Sequence, residues 1–334
     1  MTQGKLPKYC DIRVDSSAFP EVKREMIEIA LLSRNIPSCL LYSSDSQAQK
    51  WLDIHFQYSP VHKGNSAKNV YLESFQELNK IQKGKHYDLY SFGSGGGNKE
   101  ALFLEANTNL PKQTHVIDCS PFLAIHSWQE TRAFAEVKAH VADIEVMANL
   151  PNLEGHYFSG IGIGSKPALI FFMGMLPNIP PKIAWHFLKS ITRKGDILTI
   201  GANLASPQEI ESKLPNIILQ YDNEPTRAWI AAFTENLGLM GLNKEFAFET
   251  ANFSFCDYPL AMVRTTLEVK RLLHPRSPGV PPIQWCPGSC LDIFRSVRYS
   301  PESLINIAKI NGFNEVSCFV DGSCQEGVFI LERC

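Results

Sequence analysis

The most constraining feature of this sequence is an alternation of short apolar runs with amphipathic stretches, which begins at Tyr87 and repeats five times. The apolar runs read YDLYSF, THVID, EVKAHVA, ALIFFMG and KGDILTIGANL. A stretch with helical spacing follows each of them, and strands that alternate with helices predict a parallel sheet covered on both faces. The nearly continuous apolar words are typical of strands buried on both sides. We therefore predict a doubly wound α/β fold.

The segments before this alternation predict one short strand and three helices. The strand is expected at residues 10–14, and the helices at about 20–33, 46–55 and 66–82. In the third helix Val70, Leu72, Phe75, Leu78 and Ile81 recur near helical spacing, which indicates one buried face.

The segments after the alternation depart from the parallel pattern. A long helix is predicted at 221–242, followed by two strands, FAFETANFSF and LAMVRTTLEV, whose two-residue alternation favours an antiparallel pair. Residues 274–289 hold five prolines and are expected to form a surface loop. A strand at 291–297, a helix at 301–311 and a terminal hairpin around Asp321 complete the chain. A parallel sheet that ends in an antiparallel hairpin is the pattern of class I methyltransferases that use S-adenosylmethionine (SAM), an analogy of fold alone.

The charge balance and the apolar runs exclude several classes of protein. Lys and Arg number 32 against 34 Asp and Glu, a net charge of -2, which removes the overall basic footprint of a dedicated nucleic-acid binder. No apolar run reaches the roughly 18 residues needed to span a membrane. The start, MTQGKLPKYCDIR, lacks the apolar core of a secretion signal. We expect a cytoplasmic monomer whose partner is a small molecule, with neither nucleic acid nor membrane.

The nine cysteines follow no framework spacing and are expected to be reduced thiols. Cys286 and Cys290 form a close pair in WCPGSC, but zinc sites usually supply a second close pair, and none is present. We predict plain loop thiols and no metal site, with metal binding or a local disulfide as alternatives.

The sharpest motif is FGSGGGNK, which follows the first apolar run and opens a helix. The glycines, among them Gly93 and Gly95, allow a tight turn that brings a ligand close to unpaired peptide N–H groups. Asp118 ends the next strand, where a carboxylate can bind both ribose hydroxyls. Asp143 ends the third, where an acid often meets an adenine amino group. Three such features at successive strand ends predict a nucleoside site, although each aspartate could instead cap the helix that follows it.

The details of this motif favour SAM over a dinucleotide. The dinucleotide fingerprint requires a third glycine where Asn98 stands, and no phosphate-binding GK[ST] is present.

The sequence resembles the histidine-specific methyltransferase superfamily, which includes the ergothioneine-pathway histidine trimethylase and fungal N-methyltransferases of tryptophan and prenylated tryptophan. The words FGSGGGNKEALFLEA and HVIDCSPFLA are similar to its cofactor motifs. Further similar words, in the family's order, are IPSCLLYSSDSQAQKWLDIHFQYSP, IFFMGMLPNIPP, LQYDNEPTRAWIAAFTENLGLMG and FRSVRYSPESLINIAKINGF. The resemblance covers nearly the whole chain and identifies it as a divergent member.

The resemblance implies positions for both ligands. The residues implied to contact SAM are Gly93, Ser94, Gly95, Lys99, Asp118 and Asp143. Asn178 and Tyr221 fall where family members hold the carboxylate of an amino-acid substrate, with a helix cap as the alternative for Asn178. Tyr42 and Tyr58 fall near aromatic positions around the amino group, where an aromatic wall suits a methylated ammonium. Either tyrosine could instead be an ordinary half-buried residue.

Four positions depart from the family's pattern. Ser91 replaces an acidic residue two before the first glycine, Pro177 replaces a glycine, and Arg298 stands where a lysine is usual. Ser296 is kept, but Phe294 replaces the glutamate that histidine-specific members carry two residues earlier. Phenylalanine cannot pair an imidazole N–H, and an unpaired buried donor costs about 1–3 kcal/mol. We therefore expect an aromatic or otherwise apolar amino acid, or its amine, rather than histidine.

Methyl transfer to nitrogen requires a neutral amine aligned with the methyl carbon, which the protein supplies by positioning. The candidate catalytic residues are Tyr42 and Tyr221, with Asp222 or an ordered water as the proton acceptor. We predict a cofactor domain of residues 66–205 and 297–334. A smaller α+β substrate domain would comprise residues 1–65 and 206–296, with the substrate between the two domains.

Three functions remain open at this stage. The chain could be a small-molecule N-methyltransferase, a methyltransferase of a protein side chain that docks on the proline-rich loop, or a non-catalytic homologue that keeps the cofactor fold.

Overall fold

The N-terminal part folds into the short strand and three helices that its pattern predicts. A computed structural model of the chain describes residues 9–58, 65–149, 167–242 and 244–334. The elements are strand β1 (Ile12–Val14) and helices α1 (Pro20–Ser33), α2 (Asp45–Tyr58) and α3 (Asn65–Ile81). Short 3-10 helices occupy Ser16–Ala18 and Ser38–Tyr42.

The alternating segment forms five strands, each followed by a helix. The strands are β2 (Asp88–Phe92), β3 (Thr114–Asp118), β4 (Val137–Val141), β5 (Ala168–Met173) and β6 (Ile197–Asn203). The helices are α4 (Asn98–Ala106), α5 (Pro121–Thr131), α6 (Ile144–Asn149), α7 (Pro181–Ile191) and α8 (Pro207–Tyr221).

The C-terminal part adds two helices, a second sheet and the terminal hairpin. The elements are α9 (Glu224–Asn236), β7 (Phe246–Phe255), β8 (Tyr258–Glu268), β9 (Cys290–Arg298), α10 (Pro301–Ile310), β10 (Phe313–Val320) and β11 (Glu326–Arg333).

The large sheet has the order β1-β4-β3-β2-β5-β6-β11-β10. Its first six strands are parallel, and β11 inserts antiparallel between β6 and β10. This is a doubly wound sheet with a terminal antiparallel hairpin, so the predicted class I methyltransferase fold is confirmed. The strand order reverses on either side of β2, and ligands of open α/β sheets bind at such a switch point.

The second sheet is antiparallel, in the order β7-β8-β9. Its first turn is the residue pair Cys256 and Asp257, both with positive φ (51° and 66°), which is the geometry of a two-residue hairpin. The sequence-based division placed residues 1–65 in the substrate domain, whereas β1 forms the edge of the large sheet. Strand β9 also crosses the predicted boundary at residue 297.

The helix predicted at about 221–242 is present but shorter, because α8 extends to Tyr221 and α9 spans Glu224–Asn236. The Asn223 side chain caps α9 by accepting a hydrogen bond from the Thr226 N–H at 3.0 Å, and Pro225 stands in its first turn. Such a cap and proline start a new helix. The helix ends before Gly238, whose φ is +75°.

The proline-rich segment is anchored and does not lie wholly on the surface as predicted. Trp285 is fully buried and donates its indole N–H to the Leu31 carbonyl at 3.0 Å. Cys286 and Cys290 remain exposed. Among the helices of the described ranges, none is both long enough and apolar enough to cross a membrane.

Candidate active site

A cavity of about 270 Å³ lies beyond the carboxyl ends of β2, β3, β4 and β5. Its two ends are built from different parts of the chain. The glycine end comprises the turn at residues 93–97 with Lys99, Glu100, Asp118 and Asp143. The aromatic end comprises Tyr42, Trp51, Tyr221, Trp229, Phe294 and Ser296.

The glycine turn is held by backbone hydrogen bonds to the neighbouring strand. Gly93 and Ser94 both donate to the Ile117 carbonyl, at 2.8 and 3.2 Å. Gly93, Gly95 and Gly97 have φ of 63°, 55° and 73°, a conformation that favours glycine. A Cβ at Gly97 would lie 2.7 Å from the Ser127 Cα, so the turn can pack against α5 only without a side chain there.

The glycine end presents buried polar atoms that lack a protein partner. Ser94 is 7% exposed, and its hydroxyl has no hydrogen-bond partner within the described residues. The Asn98 Nδ2 atom is buried and likewise unpaired in that part of the chain. Both residues line the cavity. An unpaired buried polar group costs free energy, so these atoms suit a polar ligand such as the ribose and methionyl groups of SAM.

Asp118 links the glycine turn to the end of β3. Its Oδ2 accepts a hydrogen bond from the Gly95 N–H and its Oδ1 one from the Ser120 N–H, both at 3.0 Å. Burial raises the pKa of this carboxyl to about 6, although hydrogen bonds from these two peptide groups oppose the rise. The carboxylate therefore faces the cavity where the sequence predicts a ribose ligand.

Asp143 combines the two roles that the sequence leaves open. Its Oδ1 accepts hydrogen bonds from the Glu145 and Val146 N–H groups at 3.0 and 3.2 Å, so it caps α6. It also lines the cavity, and burial raises its pKa.

Lys99 lies in a buried cluster with two carboxylates, Glu100 and Glu326. Its ammonium is 3.5 Å from the Met173 carbonyl oxygen and 4.8 Å from the centre of the Tyr71 ring. Burial lowers the pKa of Lys99 and raises that of both glutamates. Sequence reasoning identified Lys99 but missed both glutamates, although Glu100 directly follows Lys99 in the word FGSGGGNKEALFLEA.

The aromatic end is a wall of closely packed rings. The Tyr42 ring lies 5.6 Å from that of Trp51 and 5.4 Å from that of Trp229. The Phe294 ring packs on Trp229 at 5.7 Å and on Tyr221 at 5.8 Å. Sequence reasoning predicted Tyr42, Tyr221 and Phe294 but missed the two tryptophans. Each tryptophan lies on a helix, where packing in the hydrophobic core would be enough to explain it, so no local sequence signal marked it as a cavity residue.

A polar network stands beside this wall. The Tyr221 hydroxyl donates to the Ser296 Oγ at 2.9 Å, and Asn203 donates to both, at 3.3 and 3.1 Å. Arg298 is buried and donates to the Gln220 side chain and the Tyr221 hydroxyl, at 3.1 and 3.4 Å. Its Nε has no partner in the described ranges. This guanidinium and the surrounding hydroxyl and amide groups form a site suited to an anionic group.

Two further predicted substrate residues also line the cavity. Tyr58 and Asn178 contribute to it from the end of α2 and from the turn after β5. The Asn178 amide donates to the Gly174 carbonyl at 3.3 Å, a local turn contact.

Asp222, by contrast, is not brought into the cavity. Its carboxylate pairs with Arg227 at 2.6 Å and is not among the cavity-lining groups. Asp222 follows the last residue of α8, so its side chain diverges from that of Tyr221. The predicted role as proton acceptor therefore has no geometric support.

Glu145 is a half-buried cavity residue that sequence reasoning missed. Its carboxylate accepts hydrogen bonds from the Ser38 N–H at 3.0 Å and the Ser38 hydroxyl at 2.5 Å. Burial raises its pKa to about 7, although the hydrogen bonds from Ser38 oppose the rise. Glu145 and Ser38 also line an adjoining cavity with Phe294 and Asn178.

Comparison with known proteins identifies the family. The profile of histidine-specific, SAM-dependent methyltransferases matches residues 71–333. No curated protein matches the sequence.

Several solved structures are similar. One is a SAM-dependent methyltransferase from Clostridium acetobutylicum, with 12% identity and a TM-score of 0.44 over 85% of this chain and 98% of that one. Another is magnesium protoporphyrin IX methyltransferase from Synechocystis with bound S-adenosylhomocysteine, with 9% identity and a TM-score of 0.43 over 87% and 95%. The parallel sheet with its antiparallel hairpin and the match over most of the chain lead to one conclusion: the chain belongs to the histidine-specific, SAM-dependent methyltransferase family.

Proposed function

We propose that this methyltransferase acts on the amine nitrogen of an amino acid or a related amine with an apolar side chain, and not on histidine. The observation that carries the proposal is the packing of Phe294 against Trp229 and Tyr221 at the aromatic end of the cavity. Phe294 occupies the position where histidine-specific members hold a glutamate, and a ring there offers no acceptor to an imidazole N–H.

The polar network supports a substrate that carries a carboxylate. The Tyr221 and Ser296 hydroxyls and the Arg298 guanidinium lie together beside the aromatic wall. A carboxylate bound there would place the α-amine next to the rings. Aromatic faces attract the cation that forms as the nitrogen gains a methyl group.

SAM would supply a methyl group on a positively charged sulfur, and the cavity-lining residues that would hold it are Ser94, Asn98, Lys99, Asp118 and Asp143. The protein's own contribution is to align a neutral amine nitrogen and to exclude water from the aromatic end.

For the proton acceptor we propose Glu145 in place of Asp222. Glu145 lines the cavity, and its pKa of about 7 suits a group that accepts a proton near neutrality. A carboxyl with a raised pKa is in its accepting form only above that value, so the rate should rise as pH increases through about 7. In Glu145→Gln this rise should disappear, while the ionisation of the substrate amine remains. A pH–rate profile that is unchanged in the variant would exclude this role.

The proposal is tested by calorimetric titration of the S-adenosylhomocysteine-loaded protein with tryptophan, tyrosine, histidine and tryptamine. We expect tryptophan or tyrosine to bind more tightly than histidine, and tryptamine more weakly than tryptophan because it lacks the carboxylate. Preferential binding of histidine would refute the proposal. If no free amino acid or amine bound, methylation of a protein side chain would become the better hypothesis.

A further inference from the structure

The glycine end contains a buried carboxylate, that of Glu100, for which the sequence predicted no role. Glu100 stands in the first turn of α4, is 3% exposed and lines the cavity. Its Oε1 accepts a hydrogen bond from the Ser91 hydroxyl at 2.5 Å. Ser91 occupies the strand position where the family pattern has an acidic residue. The Ser91 hydroxyl thus binds the Glu100 carboxylate, which comes from α4, at the end of β2 where the family pattern has a carboxylate on the strand itself.

The charges around Glu100 do not balance within the described residues. The positive charge of Lys99 stabilises the ionised form of Glu100, and it also stabilises that of the second buried carboxylate, Glu326. Arg298 provides Glu326 with a further cation. Each glutamate also has one negative neighbour, which is Asp118 for Glu100 and Asp321 for Glu326. Of the two glutamates, Glu100 is therefore the less neutralised, and a buried carboxylate needs a cationic partner.

Both glutamates accept a short hydrogen bond from the hydroxyl group of a neighbouring side chain. The Tyr71 hydroxyl donates to the Glu326 Oε1 at 2.5 Å, and Tyr71 is fully buried. The Glu100 carboxylate accepts from the Ser91 hydroxyl and from its own backbone N–H, and a carboxylate has further lone pairs that can accept from a ligand.

We infer that Glu100 binds the α-ammonium group of the methionyl part of SAM. The cavity-lining position of Glu100, its burial and its excess negative charge match a ligand that brings one ammonium into this end of the cavity. Lys99, one residue earlier, is placed to bind the methionyl carboxylate. The two consecutive side chains thus match the two charges of an amino-acid group. This inference depends on SAM as the methyl donor and not on the identity of the acceptor.

The test compares two ligands that differ only in the ammonium group. The affinity of the full-length protein is measured by calorimetry for S-adenosylhomocysteine and for its deamino analogue, in which hydrogen replaces the α-amino group. In Glu100→Gln we expect S-adenosylhomocysteine to bind about tenfold to hundredfold more weakly, as for loss of a charge-assisted hydrogen bond. The affinity for the deamino analogue should change by less than about threefold, since that ligand makes no such bond.

Glu326→Gln is the matched control, because it makes the same change at the neighbouring buried carboxylate. The loss of affinity in Glu326→Gln should be smaller than that in Glu100→Gln, and it should be similar for the two ligands. The inference is overturned if Glu100→Gln weakens both ligands equally, if it weakens neither, or if the ammonium-dependent loss appears in Glu326→Gln instead.

Should Glu100→Gln fail to fold, as judged by thermal unfolding, Glu100→Asp is the second variant. It keeps the charge but shortens the side chain, so we expect a smaller loss that still depends on the ammonium. Equal weakening of the two ligands in this variant would likewise overturn the inference.

Discussion

The two ends of the cavity differ in how they are built. The glycine end is formed largely by one continuous turn whose backbone is fixed by hydrogen bonds to the next strand. The aromatic end is assembled from side chains of two N-terminal segments, two C-terminal helices and β9. A turn with this backbone geometry tolerates few substitutions, whereas each substitution in the aromatic end changes the shape of the cavity there. Such a fold can keep the binding site for the methyl donor while the binding site for the acceptor changes.

The largest expected effect is at the glycine end, in Gly97→Ala. The added Cβ would lie 2.7 Å from the Ser127 Cα at a φ of +73°, so both a backbone clash and strain arise. We expect binding of S-adenosylhomocysteine to fall by more than about hundredfold, or the protein to unfold at a lower temperature. Titration calorimetry and thermal unfolding measure both.

Gly84→Ala is the control for this change. Gly84 has the same φ of +73°, but a Cβ there would have no atom within 4 Å. Gly84→Ala should lower the free energy of unfolding by about 1–2 kcal/mol, the cost of the conformational strain alone, and leave ligand affinity unchanged. If the two variants behaved alike, close packing of the turn would not be the reason for Gly97.

At the aromatic end, Phe294→Glu should change which acceptor is preferred and leave the methyl donor bound. The new carboxylate could accept the imidazole N–H that phenylalanine cannot. The ratio of kcat/KM for histidine to that for tryptophan should rise about tenfold to hundredfold. Phe294→Leu, which stays apolar, is the control and should leave the ratio low. A similar rise in both variants would show that space, and not hydrogen bonding, sets the preference.

A smaller effect is expected from Tyr221→Phe, which removes the hydroxyl that donates to Ser296 at 2.9 Å. The KM for an amino acid should rise about threefold to tenfold, as for loss of one neutral hydrogen bond. The KM for the matching decarboxylated amine should stay the same, because that substrate has no group for the network. Equal changes for both substrates would contradict the assignment of this network to the carboxylate.

The smallest effect at neutral pH concerns the sheet beneath the glycine end. His115 and His140 are buried on β3 and β4, with the Nδ1 of one 2.9 Å from the Nε2 of the other. Burial lowers their pKa values to about 3 and about 4, so the folded protein holds both neutral. Their contribution to the free energy of unfolding is complete above the ordinary histidine pKa of about 6.5, and it is lost as pH falls towards 4.

The expected slope is about 1.4 kcal/mol of unfolding free energy per pH unit for each histidine in this range. Chemical unfolding at pH about 7 and about 5 measures it. His140→Asn should flatten the dependence, and an equally steep slope in that variant would assign it to other groups.

The fold was largely predictable because its signals are local. Apolar words such as ALIFFM and the turn that opens α4 reveal strands and a helix start without knowledge of their neighbours. Asp118 and Asp143, which line the cavity, were identified from their position at strand ends. The bounds of α9 were predicted less well, because the apolar helical pattern continues past both its Asn223 cap and its last residue, Asn236.

The aromatic end was only partly predictable because its members meet through the fold. Trp51 and Trp229 lie far apart in the sequence and contact the same Tyr42 ring. Asp222 was predicted to face the substrate because it follows Tyr221 in the sequence, but neighbouring side chains point in different directions and Asp222 pairs with Arg227. Glu145 was missed because its hydrogen bond to Ser38, which is distant in the sequence, forms only in the folded protein.

The most direct test of the acceptor preference is a one-tube competition. The full-length protein is incubated with SAM bearing a deuterated methyl group and an equal mixture of amino acids and their decarboxylated amines, and the labelled products are quantified by mass spectrometry. The account predicts that label accumulates on the nitrogen of an aromatic or other apolar amino acid, with little on histidine. Label that accumulates chiefly on histidine would contradict it.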